Sequence, residues 1–155
     1  QGHGGTIAGA GIALGIATET IVLWKAKYFL ERWGASWTLL VGVGIGTLRW
    51  WITANTTSAL WLAGIQCLHG ASFGLFWIAG IYLFNHRAPR ELKSTSQALF
   101  QGATLGAGQL CGMLLSALLI PIGDTPLVFT ALMYADGLAA IMCLPLVMRR
   151  ATHTT

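Results

Sequence analysis

Five apolar stretches, each near the roughly 20 residues a helix needs to cross a bilayer, divide this 155-residue chain almost end to end. They run over about 6–24, 36–54, 59–84, 96–120 and 127–148. The breaks between them are short and polar: Lys25 to Arg32, Asn55-Thr56-Thr57-Ser58, Asn85 to Glu91, and Pro121-Ile122-Gly123-Asp124-Thr125-Pro126. Only 14 residues, 9 Lys+Arg and 5 Asp+Glu, carry a formal charge, roughly a third of what a soluble domain holds. That balance excludes a soluble enzyme, a disordered tail and a nucleic-acid-binding module. The expected fold is all-α: a polytopic helix bundle with five transmembrane helices, in contact with the lipid bilayer of the cell membrane.

Loop charge sets the expected orientation. The first break holds Lys25, Lys27 and Arg32, the third holds Arg87, Arg90 and Lys93 with its flank, and the tail holds Arg149 and Arg150. The opposite segments, Gln1 to Gly5, the Asn55 turn and the Asp124 turn, contain no Lys or Arg. Basic residues gather on the cytoplasmic side of membrane proteins. The N-terminus is therefore expected outside and the C-terminus inside. The first residue is Gln, and no signal peptide precedes the first apolar stretch. An outside N-terminus then implies an upstream hydrophobic segment, and the chain reads as the C-terminal piece of a longer protein. A cleaved signal sequence is the alternative.

Small residues recur four apart: Gly11 and Gly15, Gly42 and Gly46, Gly70 and Gly74, Gly102 and Gly106, then Gly108, Gly112 and Ser116. Such spacing lets helix backbones approach closely where lipid supplies no hydrophobic drive, so a compact bundle is expected. Gly42-Val43-Gly44-Ile45-Gly46 lacks the lysine of a phosphate loop and has no nucleotide-binding meaning. The cysteines Cys67, Cys111 and Cys143 lie far apart in apolar runs, with no CxxC pair. They read as membrane-buried thiols rather than a disulfide framework or a metal site, and no cofactor is expected.

Ionisable residues within a span are costly enough to suggest function. Four qualify: Glu19, Arg49, His69 and Asp136. Glu19 either contributes to a pathway or reaches Lys25 and a neighbouring helix end. Arg49, beside Trp50 and Trp51, either lines a site or extends its head to the outer surface through a tryptophan belt. His69 is near mid-span, and its near-neutral titration suits proton loading; a neutral histidine bonded to another helix is the alternative. Gln66, His69 and Phe73 share a face at i, i+3, i+7, and Gln97, Gln101, Thr104 and Gly108 share one on the fourth span. Amides on a cavity wall suit hydroxyl- or carbonyl-bearing solutes, and they also join helices. Asp136 ranks lowest, because the rest of its helix looks lipid-facing. There is no HExxH, no GxSxG and no paired aspartates, so an enzyme is not expected. Asn55-Thr56-Thr57 matches a glycosylation sequon but lies too close to helix ends to read as anything but a turn.

Leu30-Glu31-Arg32-Trp33-Gly34 resembles the degenerate Arg-x-Gly loop between the eighth and ninth helices of major facilitator superfamily transporters. Leu48-Arg49-Trp50 and Gln66-Cys67-Leu68-His69-Gly70-Ala71-Ser72-Phe73-Gly74 resemble the ninth and tenth helices of its proton-symporter branch, which holds lactose permease, nucleoside permeases and phenylpropionate-type permeases. Pro89 and Thr95-Ser96-Gln97-Ala98-Leu99 resemble the loop into the eleventh. The resemblance covers nearly the whole chain, as helices eight to twelve of a partial major facilitator fold. It implies that Glu19, Arg49 and His69 occupy the helices that contribute to the sugar and proton site of lactose permease. Ser72 stands where that permease carries its coupling carboxylate, one turn after the histidine, so the likeness is better to the nucleoside and phenylpropionate branch. The implied function is secondary transport of a small organic solute (a sugar, nucleoside or aromatic acid) by proton symport, with the missing N-terminal half as partner. Substrate or proton-pathway candidates are Glu19, Arg49, Gln66, His69, Gln97 and Gln101. A scaffold or assembly factor on the same fold is the alternative.

Overall fold

A computed structural model describes residues 3–151, and all of its regular structure is helical. In hydrocarbon, backbone N–H and C=O groups find no water, so each segment must satisfy its own. The elements are α1 (His3–Trp24), α2 (Ala26–Arg32), α3 (Gly34–Asn55), α4 (Ala59–Arg87), a 3₁₀ turn (Arg90–Leu92), α5 (Lys93–Gln101), a π-helical segment (Gly102–Gly108) and α6 (Gln109–Ala151). Gln1, Gly2 and the side chains of Arg149 and Arg150, all used to assign orientation, lie outside the described residues.

Three stretches are long and apolar enough to cross a membrane: Gly5–Trp24, Ala59–Arg87 and Arg90–Met148. α3 has the length, with 22 residues, but Ser36, Thr38, Thr47, Arg49, Thr53 and Asn55 dilute its apolar character. The third stretch spans 59 residues, far beyond one bilayer thickness. It contains the expected break: within α6, Gly123 and Asp124 leave helical geometry, Asp124 at φ 58, between Pro121 and Pro126. Proline removes a backbone donor and clashes with the preceding turn, and Asp is one of the few residues besides Gly that visits positive φ. α6 therefore consists of two arms that meet where the sequence places its fourth break.

α4 is the central element. α1 and α3 pack along it, and the second arm of α6 packs on α3. Glycines set the closest crossings. A Cβ at Gly70 would meet the Gly15 carbonyl oxygen and come 2.8 Å from the Glu19 nitrogen. One at Gly42 would come 2.9 Å from the Phe76 nitrogen. Val22, Leu75 and Ile78 form a buried cluster at the α1–α4 crossing, with Ala26, Phe29, Val41 and Ile45 against it. The expected tight packing of the fourth span is different: Gly102, Gly106 and Gly112 have open space where a Cβ would go. That span is held at its start instead. The buried Phe100 ring lies 5.7, 5.4 and 5.2 Å from Phe76, Trp77 and Phe84, and its edge fills the space a side chain at Gly80 would need.

The turn into α3 is fixed by Gly34 at φ 74, a conformation that costs a side chain about 1–2 kcal/mol. The fully buried Thr38 hydroxyl closes it, donating to the Gly34 carbonyl at 2.9 Å and lying 3.3 Å from that of Phe29 on α2. At the far end of α3, the Asn55 amide donates to the Trp51 carbonyl at 2.8 Å, so the sequon asparagine folds back on its own helix.

Candidate functional site

The site begins with helical spacing on α3. Gly42, Gly46 and Arg49 fall at i, i+4 and i+7 and so share a face. The two glycines bring neighbouring helices in close, and the third position presents a guanidinium to the same gap. α4 answers with His69, Ser72, Phe73 and Phe76, again on one face. Asp136 and Ala139 come from the second arm of α6, and Thr104 and Gly108 from the π-helical segment. Together these residues line a cavity of about 430 Å³, within the ordinary range for small-molecule sites.

Asp136 holds the key position. Its Oδ2 would lie 2.7 Å from a Cβ added at Gly46, so the carboxylate occupies the space that this glycine leaves. Asp136 and Arg49 line this cavity together and act on one another electrostatically. The Arg49 guanidinium lies 3.6 Å from the centroid of the Trp50 ring, a cation–π contact. That ring stacks on Phe129 of α6 at 5.7 Å. Arg49 Nε is buried and, among the described residues, has no hydrogen-bond partner. Arg49 thus lines the cavity between the helices.

His69 lines the same cavity and interacts electrostatically with both Arg49 and Glu19. Its ring centroid is 6.1 Å from that of Phe73, and the Ser72 hydroxyl donates to the His69 carbonyl at 3.0 Å. Glu19 is half-buried on α1, at the Gly70 crossing, and reaches the group through its charge.

The amides are placed elsewhere. Gln66 lines a separate cavity between α1 and α4, of about 330 Å³, with Gly11 and Ala63. Gln97 lines a wider groove of about 710 Å³ with Asn85, His86 and Lys93. Gln101 is exposed at the end of α5. The single polar wall expected along the fourth span is thus divided: Thr104 and Gly108 face the Arg49 cavity, while Gln97 faces the groove. Four residues after Gln97 the chain ends α5 and enters the π-helical segment. A π turn takes up an extra residue and turns the side chains that follow, so i, i+4 spacing does not carry through it.

Asp136, ranked lowest of the four ionisable residues from the sequence, lines the same cavity as Arg49 and His69. Its sequence setting is Ala135-Asp136-Gly137. Small neighbours let a helix approach α3 closely enough for a short carboxylate to reach its glycine face. Among the described residues, no group of three or more His, Cys, Asp or Glu is placed to hold a metal ion.

A family model described as MFS_1 like family matches residues 1–131. A curated relative, the probable 3-phenylpropionic acid transporter of Escherichia coli (strain K12), is 27% identical over 105 residues. That match takes in 68% of this chain and 27% of the relative, so the chain spans about a quarter of the relative's length. No solved structure matches the chain significantly.

Proposed function

The chain belongs to the MFS_1 like family, and from that premise we propose that it forms part of a secondary active transporter for a small aromatic carboxylate, driven by proton symport. The activity belongs to the transporter of which these helices are part, working by alternating access with solute held near the midplane between moving halves. In this reading five segments cross the cell membrane, with the α1–α3 connection and the Arg90 loop on the cytoplasmic side. No enzymatic step is involved.

One observation carries the substrate class. Arg49 stands in a membrane cavity with an unpartnered Nε, and a guanidinium is the group best shaped to take a carboxylate on two parallel hydrogen bonds. Trp50, Phe73 and Phe76 line the same space and offer ring faces and edges to an aromatic body. Sugars and nucleosides, which also fit the branch, carry no carboxylate to meet that guanidinium. The name of the curated relative points to the same chemistry.

The test is uptake by proteoliposomes containing the full-length transporter, comparing labelled 3-phenylpropionate with a sugar and a nucleoside. The expected result is accumulation of 3-phenylpropionate under an inward proton gradient, abolished by a protonophore. Preference for the sugar or nucleoside would overturn the substrate class. Uptake indifferent to the gradient would overturn symport.

A further inference from the structure

We propose that Asp136 is the proton-carrying carboxylate of this cavity, and that a solute carboxylate replaces it as the counter-ion of Arg49 when it takes up a proton. The inference rests on the transport reading above and adds to it the residue and the order of events that couple proton to solute.

A guanidinium held in a low-dielectric interior needs one balancing anion. The carboxylate acting directly on Arg49 is that of Asp136. A solute carboxylate entering the cavity would bring a second negative charge to one cation, at a steep cost in that setting. The charge balances again if one carboxylate is neutralised. The solute carboxylate can reach the buried guanidinium, whereas Asp136 sits on the Gly46 face, beside a cavity open enough for water to deliver a proton. An O–H bond then forms on Asp136, with the proton drawn from water on the loading side. Arg49 passes to the solute. On the other side the solute leaves, the O–H bond breaks, the proton goes to water, and the Asp136 carboxylate again balances the charge of Arg49.

Other groups face Asp136. Arg49 comes from α3, His69 from α4 lines the same cavity, and Glu19 of α1 acts through His69. Thr104, Gly108 and Gln109 complete the wall from the π-helical segment and the start of α6, and none of them titrates. Ser72 of α4 lines the cavity and does not titrate. Asp136 supplies a carboxylate to the same cavity from a different helix. Net movement is one proton with one monoanion, so the membrane potential should not drive it.

The test uses purified full-length transporter and 3-phenylpropionate. In weakly buffered medium, binding to the wild-type protein should take up close to one proton per molecule bound, and affinity should rise by up to tenfold per unit fall in pH. Asp136→Asn leaves Arg49 without its internal anion. It should bind the probe at least as tightly as the wild type at low pH, with a flat pH profile and no proton uptake. Asp136→Glu should keep the pH dependence. Wild-type binding without proton uptake would overturn the proposal even if no variant folds. An Asp136→Asn protein that still takes up a proton, or binds the probe more weakly than the wild type, would also overturn it. If the wild type neither binds nor moves any aromatic carboxylate, the transport reading itself fails and this inference fails with it. Coupled transport that survives Asp136→Asn sinks this inference alone.

Discussion

Adding a single methyl group at Gly70 should pry α1 from α4. A Cβ there meets the Gly15 carbonyl oxygen and comes 2.8 Å from the Glu19 nitrogen, more than half an ångström short of ordinary contact. Both obstructing atoms belong to helix backbone, so no side chain can rotate aside, and the two helices must separate or slide. Overpacking of this kind costs about 1–3 kcal/mol. Gly→Ala also changes helix propensity by up to ~1 kcal/mol in the opposite direction, which would blur the result for a single variant. Gly64, on the same helix, has nothing within 4 Å of its Cβ position and serves as the control, since propensity cancels between the two. Gly70→Ala should therefore be less stable than Gly64→Ala by about 1–3 kcal/mol, read as a shifted midpoint in detergent-to-SDS unfolding of the full-length protein. Equal midpoints for the two variants would refute the α1–α4 crossing described here.

His69→Ala should remove solute accumulation while leaving insertion intact, because an interhelical hydrogen bond is worth only about 0.6 kcal/mol on average and ~2 at most; wild-type transport by the variant would take His69 out of the site. Gly34→Ala should lower stability by about 1–2 kcal/mol through its left-handed backbone, and an unchanged unfolding midpoint would contradict the turn geometry. Cysteines placed at Lys25 and Arg90 should react with impermeant thiol reagents only from the cytoplasmic face, and labelling of either from outside would reverse the topology.

Helix positions were readable from sequence because spanning length and polar breaks are strong, local signals. The break at Gly123–Asp124 falls where Pro121 and Pro126 bracket it, and the Gly15–Gly70 and Gly42–Phe76 approaches follow from glycines spaced four apart. Arg49 and His69 stood out in the sequence as ionisable groups in apolar runs, and the structure sets both on one cavity. The sharing of Gln97, Gln101 and Thr104 was not. Face assignment by i, i+4 assumes an unbroken α-helix, and nothing obvious in Gly102-Ala103-Thr104-Leu105-Gly106 announces a π turn. Asp136 was hidden for a different reason. Arg49, whose charge acts on it, lies 87 positions earlier in the chain, and local pattern reading has no means of joining residues across that distance.

The central claim is that Arg49 receives the solute's carboxylate. Equilibrium binding of labelled 3-phenylpropionate to the full-length transporter, wild type against Arg49→Gln, tests it most directly. Hydrogen bonds to charged groups contribute about 1.5–3 kcal/mol, so affinity should fall at least about tenfold, while an uncharged analogue, 3-phenylpropanol, should bind both proteins equally. Retention of 3-phenylpropionate affinity in a folded Arg49→Gln protein would contradict the account.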